Sequence, residues 1–183
     1  MITYTKEKLH ADIAVSEYLD KYVNIPEFVQ NCRQCPNYAS SWSCPPFDFD
    51  PADYWRQYSK FHIEGICIYF DPAECQIRRS QEEISRIIAE VKAGEKTLLA
   101  KKLYDMEDDD SISLSEGVCS LCDSCTRAEK LPCRYPEKLR YSIEALGGNV
   151  GLTCSRLLGQ QPEWVSENRL PQKLIIISGL LKK

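Results

Sequence analysis

Histidine is nearly missing from this chain: His10 and His62 are the only two in 183 residues. No Ser-His-Asp arrangement can be built on so few. His62 sits two residues from Glu64 on one face of an apparent strand and reads as structural. Glycine-rich phosphate loops are also missing, since "GGNVG" at 147–151 falls short of either nucleotide pattern. There is no excess of positive charge: 23 basic against 27 acidic residues leave a net charge of -4. The basic stripe that a phosphate backbone demands is absent, which argues against a nucleic-acid partner. Nor does any apolar run reach the roughly 20 residues of a spanning helix, which argues against a membrane partner. The opening "MITYTKEKLHADIAV" lacks a basic segment followed by an apolar one, so no signal peptide is expected and the expected address is the cytoplasm. Internal repeats and linkers are not evident, and the expectation is a single metal-binding domain over residues 1–183, with no oligomeric state implied.

What the chain has in excess is cysteine, ten in all. In an oxidising compartment such a count would suggest disulfides. In a reducing one, clustered thiols more often bind metal or carry redox chemistry. Seven of the ten fall in two segments.

The denser segment is "CSLCDSCTRAEKLPC", residues 119–133. Cys119, Cys122 and Cys125 stand at successive three-residue steps, and Cys133 is the natural fourth member. Unbroken steps of this kind let the backbone curl around one object and point N–H groups at sulfur, which suits a [4Fe–4S] cluster. Structural zinc more often uses two separated pairs and is the alternative. The spacer before Cys133 is longer than in bacterial ferredoxins. Arg127 and Arg134, with Lys130, supply cations beside an anionic cofactor.

The second segment, "NCRQCPNYASSWSCPPFDFD" at 31–50, holds Cys32, Cys35 and Cys44. A lone CxxC is ambiguous with a redox pair. The prolines after Cys44 resemble the ending of a cluster loop, turning the chain away from the metal. A second cluster is the expectation here. Of the remaining cysteines, Cys67 and Cys154 read as small buried hydrophobes, and Cys75 is the most available spare ligand. If none joins, three thiolates leave one metal position open. Such a position can bind substrate as a Lewis acid. Tyr38, Trp42 and Phe47 would line or shield that site.

Periodicity supplies the frame. Ala11, Ala14, Val15, Tyr18, Leu19 and Tyr22 suggest a helix over 6–22. Asp50 and Pro51 cap a short helix that turns Trp55 to the core. "FHIEGICIYF" at 61–70 reads as a central strand, and Ser80 with Glu83 starts a long helix that Gly94 could break. The acidic run from Glu107 to Asp110 reads as a solvated turn. "SISLS" at 111–115 is a strand, Pro136 opens a helix carrying Leu139, Ile143 and Leu146, residues 149–158 form another, and "KLIIISGLL" at 173–181 is the last strand. Strands separated by helices predict an α/β fold: a small mixed, partly parallel sheet flanked by helices, with two cysteine-rich metal-binding loops.

Taken together, "CRQCPNYASSWSCPPF" and "CSLCDSC…CRYPEKLRYSIEALGGNV" resemble a prokaryotic family of unknown function labelled predicted metal-binding protein. Its pattern is CPNYG…CPP followed by CxxCxxC…CRxPExxRxSxEAxGxxV, and the likeness spans about residues 30–158. The resemblance implies Cys32, Cys35 and Cys44 as ligands of one site and Cys119, Cys122, Cys125 and Cys133 as ligands of another. Arg134, Pro136, Arg140, Ser142, Glu144 and Gly147 match its later block. Ala39 stands where the family has glycine, so a different local backbone is expected there. Asn149 stands where Asp is common. Three functions are open on the sequence: single-electron transfer with a redox partner protein, a lyase or desulfidase acting at an open iron, and a zinc-stabilised interaction module.

Overall fold

The computed structural model describes residues 2–165 and 168–183. Among them, four strands form one sheet in the order β1-β2-β4-β3. β1 is Tyr4–Ala14, β2 is Lys60–Phe70, β3 is Ser111–Ser113 and β4 is Lys173–Lys182. Every strand pairing in it is antiparallel. The expected parallel component is therefore wrong. A parallel contact survives only as an isolated bridge between Ser115 and Ser142. Helices between strands suggested crossovers, but β2 and β4 lie side by side running opposite ways, and the long excursion between them packs on both faces of the sheet.

The two interior strands explain the apolar runs in the sequence. Along β2, Phe61 and Ile63 face one side, while Ile66, Ile68 and Phe70 face the other; β4 divides Ile177 and Leu181 from Ile176 and Leu180 in the same way. Burial on both faces removes the polar alternation that a half-solvated strand would show. α5 (Gln81–Asp105) covers one face with Ile84, Ile87, Val91, Leu99 and Leu103. Its start is the expected Ser80–Glu83 capping box, and it runs through Gly94 without a break. The other face takes α1 (Val15–Tyr22), α3 (Pro51–Arg56), α6 (Val150–Leu157) and the turn at 141–148, through Tyr18, Trp55, Cys154, Ile143 and Leu146.

Two helix expectations fail. Residues 4–14 are a strand, with only 15–22 helical. Leu9, Ala11 and Ile13 alternate with exposed residues and rest on the core, so the period is two across β1 and changes at Val15. Pro136 opens only a three-residue 3-10 turn (Pro136–Lys138), and Ile143 and Leu146 reach the core from a turn. The acidic run also differs from expectation at Glu107, whose carboxylate takes the Arg140 guanidinium and the Ser113 amide.

α2 (Ile25–Cys32) lies outside both hydrophobic clusters, yet it positions a functional segment. Asn24 caps its start, and the Asn24 N–H donates to Gly147 O at 2.8 Å. Gly147 has φ +84°, and a Cβ there would lie 2.6 Å from Ile25 Cγ1. Glycine is needed for both conformation and space. The helix is thus seated on the 141–148 turn and delivers Cys32 at its far end.

Candidate metal centre

The 32–44 loop is a run of turns. Cys35 N–H donates to Cys32 O, Tyr38 N–H to Cys35 O, and Cys44 N–H to Ser41 O. The backbone passes through Ala39 at φ +58°, where Ala39 N–H donates to Pro45 O at 2.9 Å. The backbone at Ala39 is left-handed, a conformation that glycine adopts more readily than alanine. Burial pushes the Cys32 thiol up, and Cys44, Cys35 and Glu144 add to the effect; burial does the same at Cys44, again with a contribution from Cys35. Cys32 and Cys44 thus lie close enough to Cys35 to feel its charge.

The second segment leaves β3 through Ser115, whose N–H donates to Tyr141 O, and turns at Gly117 with φ +66°. Cys119, Cys122, Cys125 and Cys133 then ring a cavity of about 280 Å³, together with Trp42, Ser41, Thr126, Arg134 and Tyr135. The long spacer before Cys133 folds back on itself. A 3-10 turn, Thr126–Glu129, follows Cys125, and Thr126 Oγ1 donates to Pro132 O at 2.8 Å. The neighbours of Cys125 and Cys133 are thereby tied together.

Donors point at sulfur in this group, as the spacing suggested. Trp42 N–H donates to Cys125 Sγ at 3.4 Å, the Arg127 N–H also reaches Cys125, and the Leu121 N–H reaches Cys119. Burial and the neighbouring thiols Cys133, Cys122 and Cys125 push Cys119 up. Cys125 goes the other way. Burial alone would raise it, but the two N–H groups, the Ser41 hydroxyl and the Arg127 cation together hold it down and favour thiolate.

The two groups touch. Arg127 Nη1 donates to Ser41 O at 2.8 Å and also to Cys44 O, Nη2 donates to Pro46 O, and the guanidinium lies 5.1 Å over the Trp42 ring. Trp42 Nε1 donates to Leu131 O at 3.0 Å. Arg127 thus acts on the 41–46 backbone and electrostatically on Cys44 and Cys125. Arg134 lines the cavity and donates to Ser124 O at 2.8 Å. Trp42 borders the cavity, whereas Phe47 stacks on Phe49 at 4.8 Å within an aromatic group with Tyr54 and Tyr141.

The other three cysteines stay apart from the loops. Cys67 and Cys154 are in the core, and burial drives Cys154 up to about 12. Cys75, the expected spare, is buried on α4 (Pro72–Gln76) with its thiol donating to Pro171 O at 3.4 Å. Among the described residues, no three Cys, His, Asp or Glu side chains converge on a point that would hold a single ion. Tetrahedral zinc needs sulfurs about 3.8 Å apart, given its bond length. The second group lines a cavity of about 280 Å³.

Three further residues belong to the site. Ser41 and Ser43 are buried to 5% and 1% exposure inside an irregular loop, and a Ser-Trp-Ser tripeptide between cysteines was their only signal. Glu144, noted before only as part of a motif, carries a carboxyl that burial pushes up and that acts on Cys32.

A family model described as Predicted metal-binding protein (DUF2284) matches residues 19–181. The chain belongs to that family. No curated protein and no solved structure matches it. The match includes both cysteine loops and the elements that seat them, from α2 into β4. It supports metal binding, and it specifies neither the metal nor a reaction. No helix among the described residues is long and apolar enough to cross a membrane.

Proposed function

We propose that the chain is a cytoplasmic iron–sulfur protein that accepts and passes single electrons to a redox partner protein. Cys119, Cys122, Cys125 and Cys133 would hold a [4Fe–4S] cluster, and Cys32, Cys35 and Cys44 a second. One observation carries the reading: four thiols ring a single cavity of about 280 Å³, with backbone N–H groups aimed at two of the sulfurs. That space is several times the roughly 30 Å³ share of a water molecule, which suits an inorganic group of several atoms better than a bare zinc ion. The donor set fits as well, since thiolates and N–H donors are what such clusters gain from a protein. The cluster would supply a site for one electron; the chain supplies hydrogen bonds, the Arg127 charge and partial exclusion of water, which set its potential.

The test is purification without oxygen followed by iron and acid-labile sulfide assays. Brown protein with both elements in stoichiometric amounts is expected, and Cys125→Ser should lose about half of each. Stoichiometric zinc without sulfide would remove the reading in favour of the zinc-stabilised module.

A second reading has its own support. No fourth cysteine reaches Cys32, Cys35 and Cys44, because Cys67, Cys75 and Cys154 are buried elsewhere. A three-thiolate site leaves one iron position for substrate, in the manner of a lyase or desulfidase. Mild oxidation would then give a [3Fe–4S] signal from that centre, and adding a ligand would shift its spectrum.

A further inference from the structure

Ser41 and Ser43 are two hydroxyls buried in a loop with almost no regular structure. A buried hydroxyl is costly unless it is partnered. Their partners come from both cysteine groups. Ser41 Oγ and Ser43 Oγ are 3.0 Å apart. Ser43 Oγ lies 3.9 Å from Cys44 Sγ and accepts the Cys119 N–H at 2.9 Å. Between the two serines, the Trp42 N–H donates to Cys125 Sγ at 3.4 Å. One tripeptide therefore contacts a thiol of the first group, and both a thiol and a cysteine amide of the second.

We propose that Ser41, Trp42 and Ser43 join the two cysteine groups into one two-centre electron relay, in which Cys44 on one side and Cys119 and Cys125 on the other are held by hydrogen bonds of the same tripeptide. The proposal rests on the iron–sulfur reading above. Ser41 and Ser43 are positioning residues: they act on the irons only through the thiolates. Each hydroxyl has one proton to donate. Were the centre on Cys44 to gain an electron, its thiolate would become a stronger acceptor for the Ser43 hydroxyl, and that donation would make the Ser43 oxygen a stronger acceptor for the Cys119 N–H of the other group. The step moves one electron from one centre to the other, with no bond made or broken. The electron is supplied first by an external one-electron reductant, such as the partner protein or dithionite. Hydrogen bonds to sulfur are a recognised determinant of cluster potential, so the two potentials become linked.

The experiment uses the full chain, purified without oxygen and assayed for iron and sulfide before anything else. Dithionite-reduced protein is expected to give a broadened, spin-coupled EPR spectrum. Cys35→Ser, which removes a ligand of the first centre, is expected to reduce this to a simple signal from the second. In a redox titration, Ser43→Ala should move both midpoint potentials, because its hydroxyl faces both groups. Ser41→Ala serves as an independent variant should Ser43→Ala not accumulate. If iron and sulfide account for two clusters and the spectrum is the plain sum of two isolated ones, the relay is wrong while the iron–sulfur reading stands. A potential shift confined to one centre overturns it equally. Absence of iron and sulfide removes both.

Discussion

At the scale of single residues, polar side chains carry more of this structure than their sequence context suggests. Glu107 opens a run of four acidic residues, and such a run is usually a solvated turn. Its carboxylate instead takes Arg140 through both oxygens, at 2.7 and 2.5 Å, and the Ser113 N–H at 2.7 Å. Both partners of the ion pair are only 15% exposed. Burial alone would push the carboxyl up. The Arg140 hydrogen bond, followed by those from Ser113, outweighs it, and the group sits below its ordinary value. A carboxyl depressed in the folded state adds stability above its unfolded pKa, about 4.3. That contribution is lost as pH falls through the folded value. Glu107→Gln should therefore cost about 2 kcal/mol at neutral pH, the scale of a charge-assisted hydrogen bond left half unmade. The difference in thermal midpoint from the parent should narrow as pH falls from about 5 towards 3, where the parent's own carboxyl becomes neutral and resembles the amide. A gap that stays constant with pH would mean that packing, and not charge, holds Arg140.

At the scale of elements, the consequential join is α2 on the 141–148 turn. α2 adds no buried side chain, so its position depends on its first turn. Gly147 accepts a Cβ only by displacing Ile25, whose Cα would lie 2.9 Å away, and its φ of +84° disfavours any L side chain. Gly147→Ala should destabilise by about 2–4 kcal/mol, adding overpacking to backbone strain. Its more telling effect is at the other end of the helix, on Cys32. Iron and sulfide should fall by the share of the first group alone, leaving the second group's spectrum intact; equal loss from both groups would contradict this seating of α2. What was legible in the sequence follows the same physics. β2 and β4 were readable because burial on both faces writes a continuous apolar run, and the Ser80 capping box marked its helix outright. β1 was misread because Ala14, Val15 and Tyr18 extend a helical period backwards over a strand whose own alternation rests on Leu9, Ala11 and Ile13 alone. Strand direction was not legible: a helix between two strands looks the same in sequence whether the strands run parallel or return antiparallel. The cysteines of the candidate centre were all visible from spacing, but Ser41 and Ser43 were not. Their importance comes from the Cys119 amide that Ser43 reaches across 76 residues of chain, and no local pattern records that.

At the scale of the whole molecule, the apolar core and the cysteine loops are separate sources of order. The two hydrophobic clusters draw on α1, α3, α5, α6, the 141–148 turn and the strands. No residue of 32–46 or 119–133 belongs to either. The loops are held by turns, by Arg127 across three carbonyls, and by a few hydrogen bonds between them. Two classes of metalloprotein differ at this point. In a small zinc module the bound metal supplies the folding energy, and its removal unfolds the chain. Here the buried sheet has enough apolar surface to persist, while the loops have little except their own hydrogen bonds and whatever the thiolates grip. Stripping the metal with a chelator and reductant should therefore leave far-UV circular dichroism nearly unchanged and strand amides of 61–70 and 174–181 protected from hydrogen exchange. Amides of 35–46 and 119–134 should lose protection together, because each loop is the other's wall, and Arg127→Ala should produce part of that loss even with metal bound. Local opening of this kind lies at the low end of the stability range within one fold. Global unfolding on metal removal would show instead that the sheet depends on the loops, and the division between a self-sufficient core and a metal-ordered surface would have to be abandoned.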